Sequence, residues 1–278
     1  MQFGVMQKIL QAILALALFS MCPPVMAQTL KHYDLLLDDK KIGGVTMKTD
    51  DLAQGGRKVT QFLRIKTGGF WGKIDIRGTL EERISASGQL LEASNELKEN
   101  KKVFWSKLQL SGEEYLSFRS QMKDKGEKDM DELKDLATGV ATFLVPEVGD
   151  VIEIGTLLLS DDKNSPRNDR LTASSFDTSL VGLPFYWQRN AFRLPGNLRI
   201  FDTQDMVILM AKVEDLGTEH LVSGTKQIPA RHYRLKVKGT DPIDVWLFRS
   251  ADGHAYFAKL TGKEDGSLFQ VCLQAGQQ

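Results

Sequence analysis

The side chains best suited to chemistry are scattered along this chain rather than gathered into a motif. Its four histidines, His32, His220, His232 and His254, each fall in or beside an alternating, strand-like stretch. None belongs to the His-x-x-x-His pair that lets a helix present two zinc ligands on one face. Carboxylates occur as adjacent pairs: Asp38-Asp39, Glu81-Glu82, Glu113-Glu114 and Asp161-Asp162. Neighbours on a strand point to opposite faces, so these pairs lack the facing geometry that glycoside hydrolysis uses and read as solvated turns. The polar stretch Asp161 to Ser175 lacks the mid-loop glycine and closing glutamate of a calcium loop, and reads as an exposed loop. There is no Gly-x-Ser-x-Gly elbow, phosphate-binding glycine loop, dinucleotide fingerprint or Cys-x-x-Cys. The expectation is a protein without catalytic residues, metal or cofactor, and more a binder than an enzyme.

A binding site is better represented than a reactive one. Leu180 to Phe192 (LVGLPFYWQRNAF) is densely aromatic, carries proline and glycine, and shows no clear periodicity. Phe185, Tyr186 and Trp187 therefore form either a plug at one end of the core or a lid over an apolar cavity. In the lid reading they act with Trp246 and Phe248, and these five are the candidate ligand-binding residues. Sites of that kind are mostly apolar with few polar groups, which suits a chain without chemical motifs.

The elements that must position these residues are strands. Period-2 alternation recurs from Leu30 to Leu37, Ile42 to Thr49, Val59 to Ile65, Trp71 to Ser85, Leu91 to Lys98, Val103 to Leu110 and Tyr115 to Met122. Gly78 inside the fourth run predicts a bulge or bend. From Glu127 the period changes: Met130, Leu133, Val140 and Leu144 recur as on an amphipathic helix that ends before Pro146. The last third returns to strands, with Asp252-Gly253 and Asp265-Gly266 as tight-turn signals. Met206 to Val213 and Ile243 to Phe248 are apolar on both faces, unlike a sheet with one side in water. The pattern predicts a mainly β fold: a curved antiparallel sheet, half-barrel or barrel, with the amphipathic helix as cap.

The first 27 residues address location. One lysine, an apolar run from Ile9 to Phe19 and a small-residue end at Ala27 make the layout of a cleaved signal peptide. The run is short for a membrane anchor, and Met21 before Cys22 departs from a lipoprotein acylation site. Residues 28–278 then form one β-rich domain, elaborated at about 123–197, and working in the periplasm. The whole chain balances 36 Lys+Arg against 36 Asp+Glu, so no basic excess points to nucleic acid. With Cys22 removed, Cys272 has no disulfide partner in the chain; within an apolar run it reads as a small hydrophobe.

The opening Tyr33-Asp34-Leu35-Leu36-Leu37-Asp38-Asp39-Lys40-Lys41-Ile42-Gly43 resembles the start of an uncharacterised family of exported bacterial, periplasmic β-rich proteins. Pro229 to Leu235, Asp244 to Phe248 and Asp252-Gly253 resemble its ending, while residues 123–197 depart from it. The resemblance implies an envelope protein with a curved antiparallel sheet, distantly similar to lipoprotein carriers, and it supplies no catalytic residues. Function is thus expected to be binding of an apolar ligand, a lipid or acyl chain, in a sheet-lined cavity. The alternative is a non-catalytic cell-envelope module whose partner is another envelope protein.

Overall fold

The structure, a computed structural model, describes residues 28–67, 74–99, 102–122, 167–203, 207–264 and 267–276. The expected leader (1–27) and the Glu127 helix lie outside the described residues. Seven strands build the N-terminal part: β1 (Gln28–Leu37), β2 (Lys40–Asp51), β3 (Arg57–Thr67), β4 (Ile74–Ile84), β5 (Leu90–Glu99), β6 (Lys102–Ser111) and β7 (Glu114–Met122). Next come β8 (Arg167–Thr172), β9 (Thr178–Ser179), the helix α1 (Leu183–Arg189) and β10 (Asn197–Asp202). The chain then runs through β11 (Val207–Ser223), β12 (Lys226–Val237), β13 (Ile243–Arg249), β14 (Ala255–Glu264) and β15 (Ser267–Leu273).

All 15 strands belong to one sheet, in the order β8-β7-β6-β5-β4-β3-β2-β1-β15-β14-β13-β12-β11-β10-β9. It is two meanders joined where β1 pairs with β15, Tyr33 opposite Leu273. Every pairing is antiparallel except that of β9 with β10. This order forces curvature. Laid flat, 15 strands would span roughly 70 Å at the usual inter-strand spacing. Yet the two edge strands, β8 and β9, are consecutive in the chain and separated only by residues 173–177. So short a link reaches at most about 20 Å. The sheet must therefore curl until its edges nearly meet, as the apolar pattern of the strands predicts.

Alternation fixes the inner and outer surfaces. Tyr33, Val45, Leu63, Gly78 and Leu97 form one cross-strand row, with Tyr33 and Val45 buried in the core. The adjacent row, Thr46, Phe62, Thr79, Glu96 and Trp105, faces outward. Gly78 makes no bulge. It stays in register between Leu63 and Leu97, and a Cβ there would stand 3.0 Å from Leu97 Cδ1, so the glycine gives room to a neighbour. The register shift of β4 falls instead at Arg83/Ile84.

Turn chemistry follows the sequence closely. Asp38 and Asp39 both have positive φ, 46° and 63°, the type I′ geometry of a two-residue hairpin, which aspartate tolerates. Gly253 takes φ +85° between β13 and β14. The expected loop Asp161–Ser175 is corrected in part: Arg167–Thr172 is the edge strand β8, paired with β7. Its sequence RNDRLT has a single apolar residue, so a hydrophobicity pattern does not show it.

Two strands read as apolar on both faces behave differently. In β13 both faces are buried from Val245 to Phe248. In β11 only Leu209, Ala211 and Val213 are buried, and Met210 is exposed. Covering of β13 comes from the β11–β12 hairpin, whose ladder continues past Arg231, the last β12 partner of β13, to Ser223 and Lys226. Its turn curls far enough for Gly224 to crowd Ala275, just beyond β15.

Candidate functional site

The site is built around the segment that sequence reading took as an aperiodic loop. Leu183–Arg189 is a helix. Pro184 supports its first turn, where the missing N–H costs nothing. Asn190 closes it with its backbone N–H on the Tyr186 carbonyl, and positive φ at Ala191 and Phe192 turns the chain away. Seven residues are too few for a 3.6 period to show, and too few to be stable alone. Packing holds the helix instead, with Leu183, Phe185 and Trp187 all buried. Trp187 Nε1 donates to Tyr233 Oη at 3.0 Å on β12, and Gln188 Oε1 accepts from the Ala255 N–H of β14. The Arg57 guanidinium of β3 lies 4.6 Å from the Phe185 ring. Because α1 touches strands of both meanders, it sits in the concave side of the sheet as a plug.

Among the described residues no ladder joins the two sheet edges; side chains instead fasten the β9–β10 end of the sheet to the inner face of the first meander. Glu82 of β4 is fully buried; its Oε1 accepts from Thr203 Oγ1 at 2.7 Å and its Oε2 from Ser179 Oγ. Ser179 Oγ in turn accepts the Gly182 N–H at 2.9 Å, immediately before α1. Burial pushes the Glu82 carboxyl up to about 7, against the opposing effect of its two hydroxyl partners. Ser106 of β6 adds a hydrogen bond to the Thr203 carbonyl at 3.2 Å. Beside these contacts, Phe176 from the edge-to-edge link lies between Tyr115 and Phe201, with ring centroids 5.1 and 4.9 Å apart. Reading Glu81-Glu82 as a solvated pair is thus corrected: the two do point to opposite faces, but the inner face is dry.

Two cavities flank the plug. The one inside the curl, bounded by residues such as Tyr33, Leu35, Met47, Leu180 and Phe257, holds only about 40 Å³. That is the scale of a water molecule, whose share of the liquid is about 30 Å³. The second lies at the seam, where the β4–β5 turn, the 173–177 link and the exposed side of α1 meet, and measures about 450 Å³. Tyr115, Phe176, Tyr186, Arg189 and Asn190 contribute to its wall. Asp177 at its edge is neutralised by Arg199, whose Nη2 donates to Oδ1 at 2.6 Å. Burial pushes the Asp177 carboxyl up, but the side-chain and backbone hydrogen bonds of Arg199 hold it below the usual carboxylate range.

The five candidate residues therefore part company. Tyr186 lines the seam cleft. Phe185 and Trp187 lie behind it in the core, the latter anchoring the helix. Trp246 and Phe248 line neither cavity. Trp246 lies under the curled hairpin, donating from Nε1 to Glu219 at 2.9 Å and stacking on His232 at 4.0 Å. Sequence reasoning missed Glu82, Ser179, Thr203 and Arg189, because each owes its position to strands distant in the chain. Among the described residues no group of His, Cys, Asp or Glu is arranged to hold a metal ion, and no helix is long and apolar enough to cross a membrane.

With this geometry in hand, the chain can be set beside known proteins. No family model and no curated protein matches it. Its fold does match a crystal structure, that of a β-barrel-like protein of the domain of unknown function DUF1849 from Brucella abortus. The likeness has a TM-score of 0.55 and covers 90% of this chain and 96% of that one, at 11% identity. It is a likeness of fold. The chain thus shares the barrel-like architecture of an uncharacterised β-rich family, as the strand pattern and the curled sheet independently require.

Proposed function

We propose that the protein is an exported, periplasmic, non-catalytic binding module that takes a lipid-like or other apolar small molecule at the seam cleft. The observation that supports this reading is the contrast between the two cavities. Sites for small molecules measure about 300–1,000 Å³. The seam cleft, at about 450 Å³, falls in that range, whereas the 40 Å³ interior does not. The ligand therefore lies against the rim of the barrel, not in its filled centre. Tyr186 touches it, Phe185 and Trp187 fix the helix that presents Tyr186, and Trp246 and Phe248 serve packing elsewhere.

The test is native against denaturing mass spectrometry of the protein purified gently from its exported form. A released adduct of lipid-like mass, absent from an Asn190→Trp variant that fills the cleft, is expected. A bare protein mass after lipid feeding overturns the reading.

A second reading, a cell-envelope interaction module, has one observation in its favour. Phe62 and Trp105 are 45% and 40% exposed and lie on the same outward row, joined through Thr79 and Glu96. Exposed large aromatics sharing one face are a feature of protein interfaces. A photo-reactive residue at position 79 would crosslink one recurrent envelope protein in living cells under this reading, and none under the first.

A further inference from the structure

Arg189 is the cation among the described residues lining the seam cleft, and Asp177, the anion there, is already paired with Arg199. Among the described residues no carboxylate pairs with Arg189. Its side chain is exposed and rests against the β4–β5 turn. The stem runs across Gly88 of the β4–β5 turn, where a Cβ would meet Arg189 Cδ at 3.3 Å and Nε at 3.4 Å. Gly88 has φ +88°, so the turn favours glycine and the glycine leaves the arginine its place. The guanidinium lies 5.9 Å from the Phe185 ring, at the last turn of α1. A guanidinium at the rim of the cleft presents a planar fork of donors that matches an oxyanion.

We infer that the ligand of the seam cleft carries an oxyanion, a carboxylate or phosphate, which Arg189 receives while the apolar body rests on Tyr186 and Phe176. This inference rests on the binding reading above and adds the headgroup class to it. Ser87 and Gln89 beside Gly88 also line the cleft, with Ser87 Oγ sharing a hydrogen bond with Ser85 Oγ at 2.6 Å and the Gln89 side chain bonded to Tyr115. Tyr115 Oη is spent on the Leu90 carbonyl at 2.7 Å, and Asn190 Nδ2 on that of Tyr186 at 2.8 Å.

The experiment is calorimetric titration of the full exported chain with octanoate, octyl phosphate and octanol, which share a tail and differ in the head. The two anions are expected to bind at least about tenfold more tightly than the alcohol, the scale of a charge-assisted hydrogen bond. Arg189→Gln should abolish that gap without weakening octanol, and Arg189→Lys should retain part of it. The order of octanoate and octyl phosphate shows which oxyanion the cleft favours. If octanol binds as well as the anions, and Asn190→Trp removes all three, the oxyanion inference fails while the cleft reading stands. If none of the three binds, both fail. Unchanged thermal midpoints of the Arg189 variants separate loss of binding from loss of folding.

Discussion

Ser179, on the two-residue strand at one edge of the sheet, donates its hydroxyl hydrogen to Glu82, on a strand of the opposite meander. This contact and its companion from Thr203 tie the β9 end of the sheet to the inner face of β4, across the curl. A ladder spreads closure over many backbone bonds; here a buried carboxyl group supplies part of it.

That dependence gives closure a pH signature. The Glu82 carboxyl is raised from 4.5 to about 7 in the folded protein, so the folded state favours the neutral acid. Its contribution to stability is complete below about pH 4.5 and is lost as pH rises through about 7. Glu82→Gln keeps an acceptor for Thr203 and a hydrogen-bonding group for Ser179, but cannot ionise. The variant should match the parent near pH 4.5 and exceed it at pH 8 by up to about 3 kcal/mol. Urea titrations of both proteins across that range check this; parallel pH profiles would show that Glu82 ionises freely in the fold.

The plug should be a stability element before it is a binding element. Trp187→Phe loses the hydrogen bond to Tyr233 and should cost about 1 kcal/mol. Trp187→Ala also empties a buried site and should cost about 3–5 kcal/mol. Denaturant midpoints at unchanged slope are the measurement. A cost below about 1 kcal/mol for the alanine variant would mean that α1 is not packed as described.

Gly88 couples the turn to the cleft. Gly88→Ala puts a β-carbon on a residue at φ +88° and against Arg189, so about 1–2 kcal/mol of stability should be lost. Octanoate binding should weaken with it, while octanol binding changes less. Equal weakening of both ligands would place the effect in the cleft's shape rather than in the arginine.

Trp246 belongs to a different unit. Trp246→Ala should loosen the curled β11–β12 hairpin, which Trp246 meets through Glu219 and His232. Faster hydrogen exchange confined to residues 216–230, with ligand affinity unchanged, is the expected result. A marked loss of affinity would tie the hairpin to the cleft.

Much of the architecture is carried by local pattern. Alternation marks most strands, because a half-buried sheet repeats its demand on the side chains every two residues. Asp38-Asp39 and Asp252-Gly253 mark their turns, because few residues accept positive φ. Even the opposite faces of Glu81 and Glu82 follow from the strand period. Other features were decided only when distant strands met. Polarity concealed β8, and shortness concealed α1. Nothing near Glu82 in the chain announces Ser179 and Thr203, which lie 97 and 121 residues away. Whether a carboxyl group stays wet or becomes a buried seam contact depends on which surfaces the curl brings together. Arg189 likewise becomes the cation of a cleft only where the β4–β5 turn, about a hundred residues earlier, forms the wall beside it. Local sequence sets the period and the turns; the curl of the whole sheet sets desolvation, and desolvation makes the site.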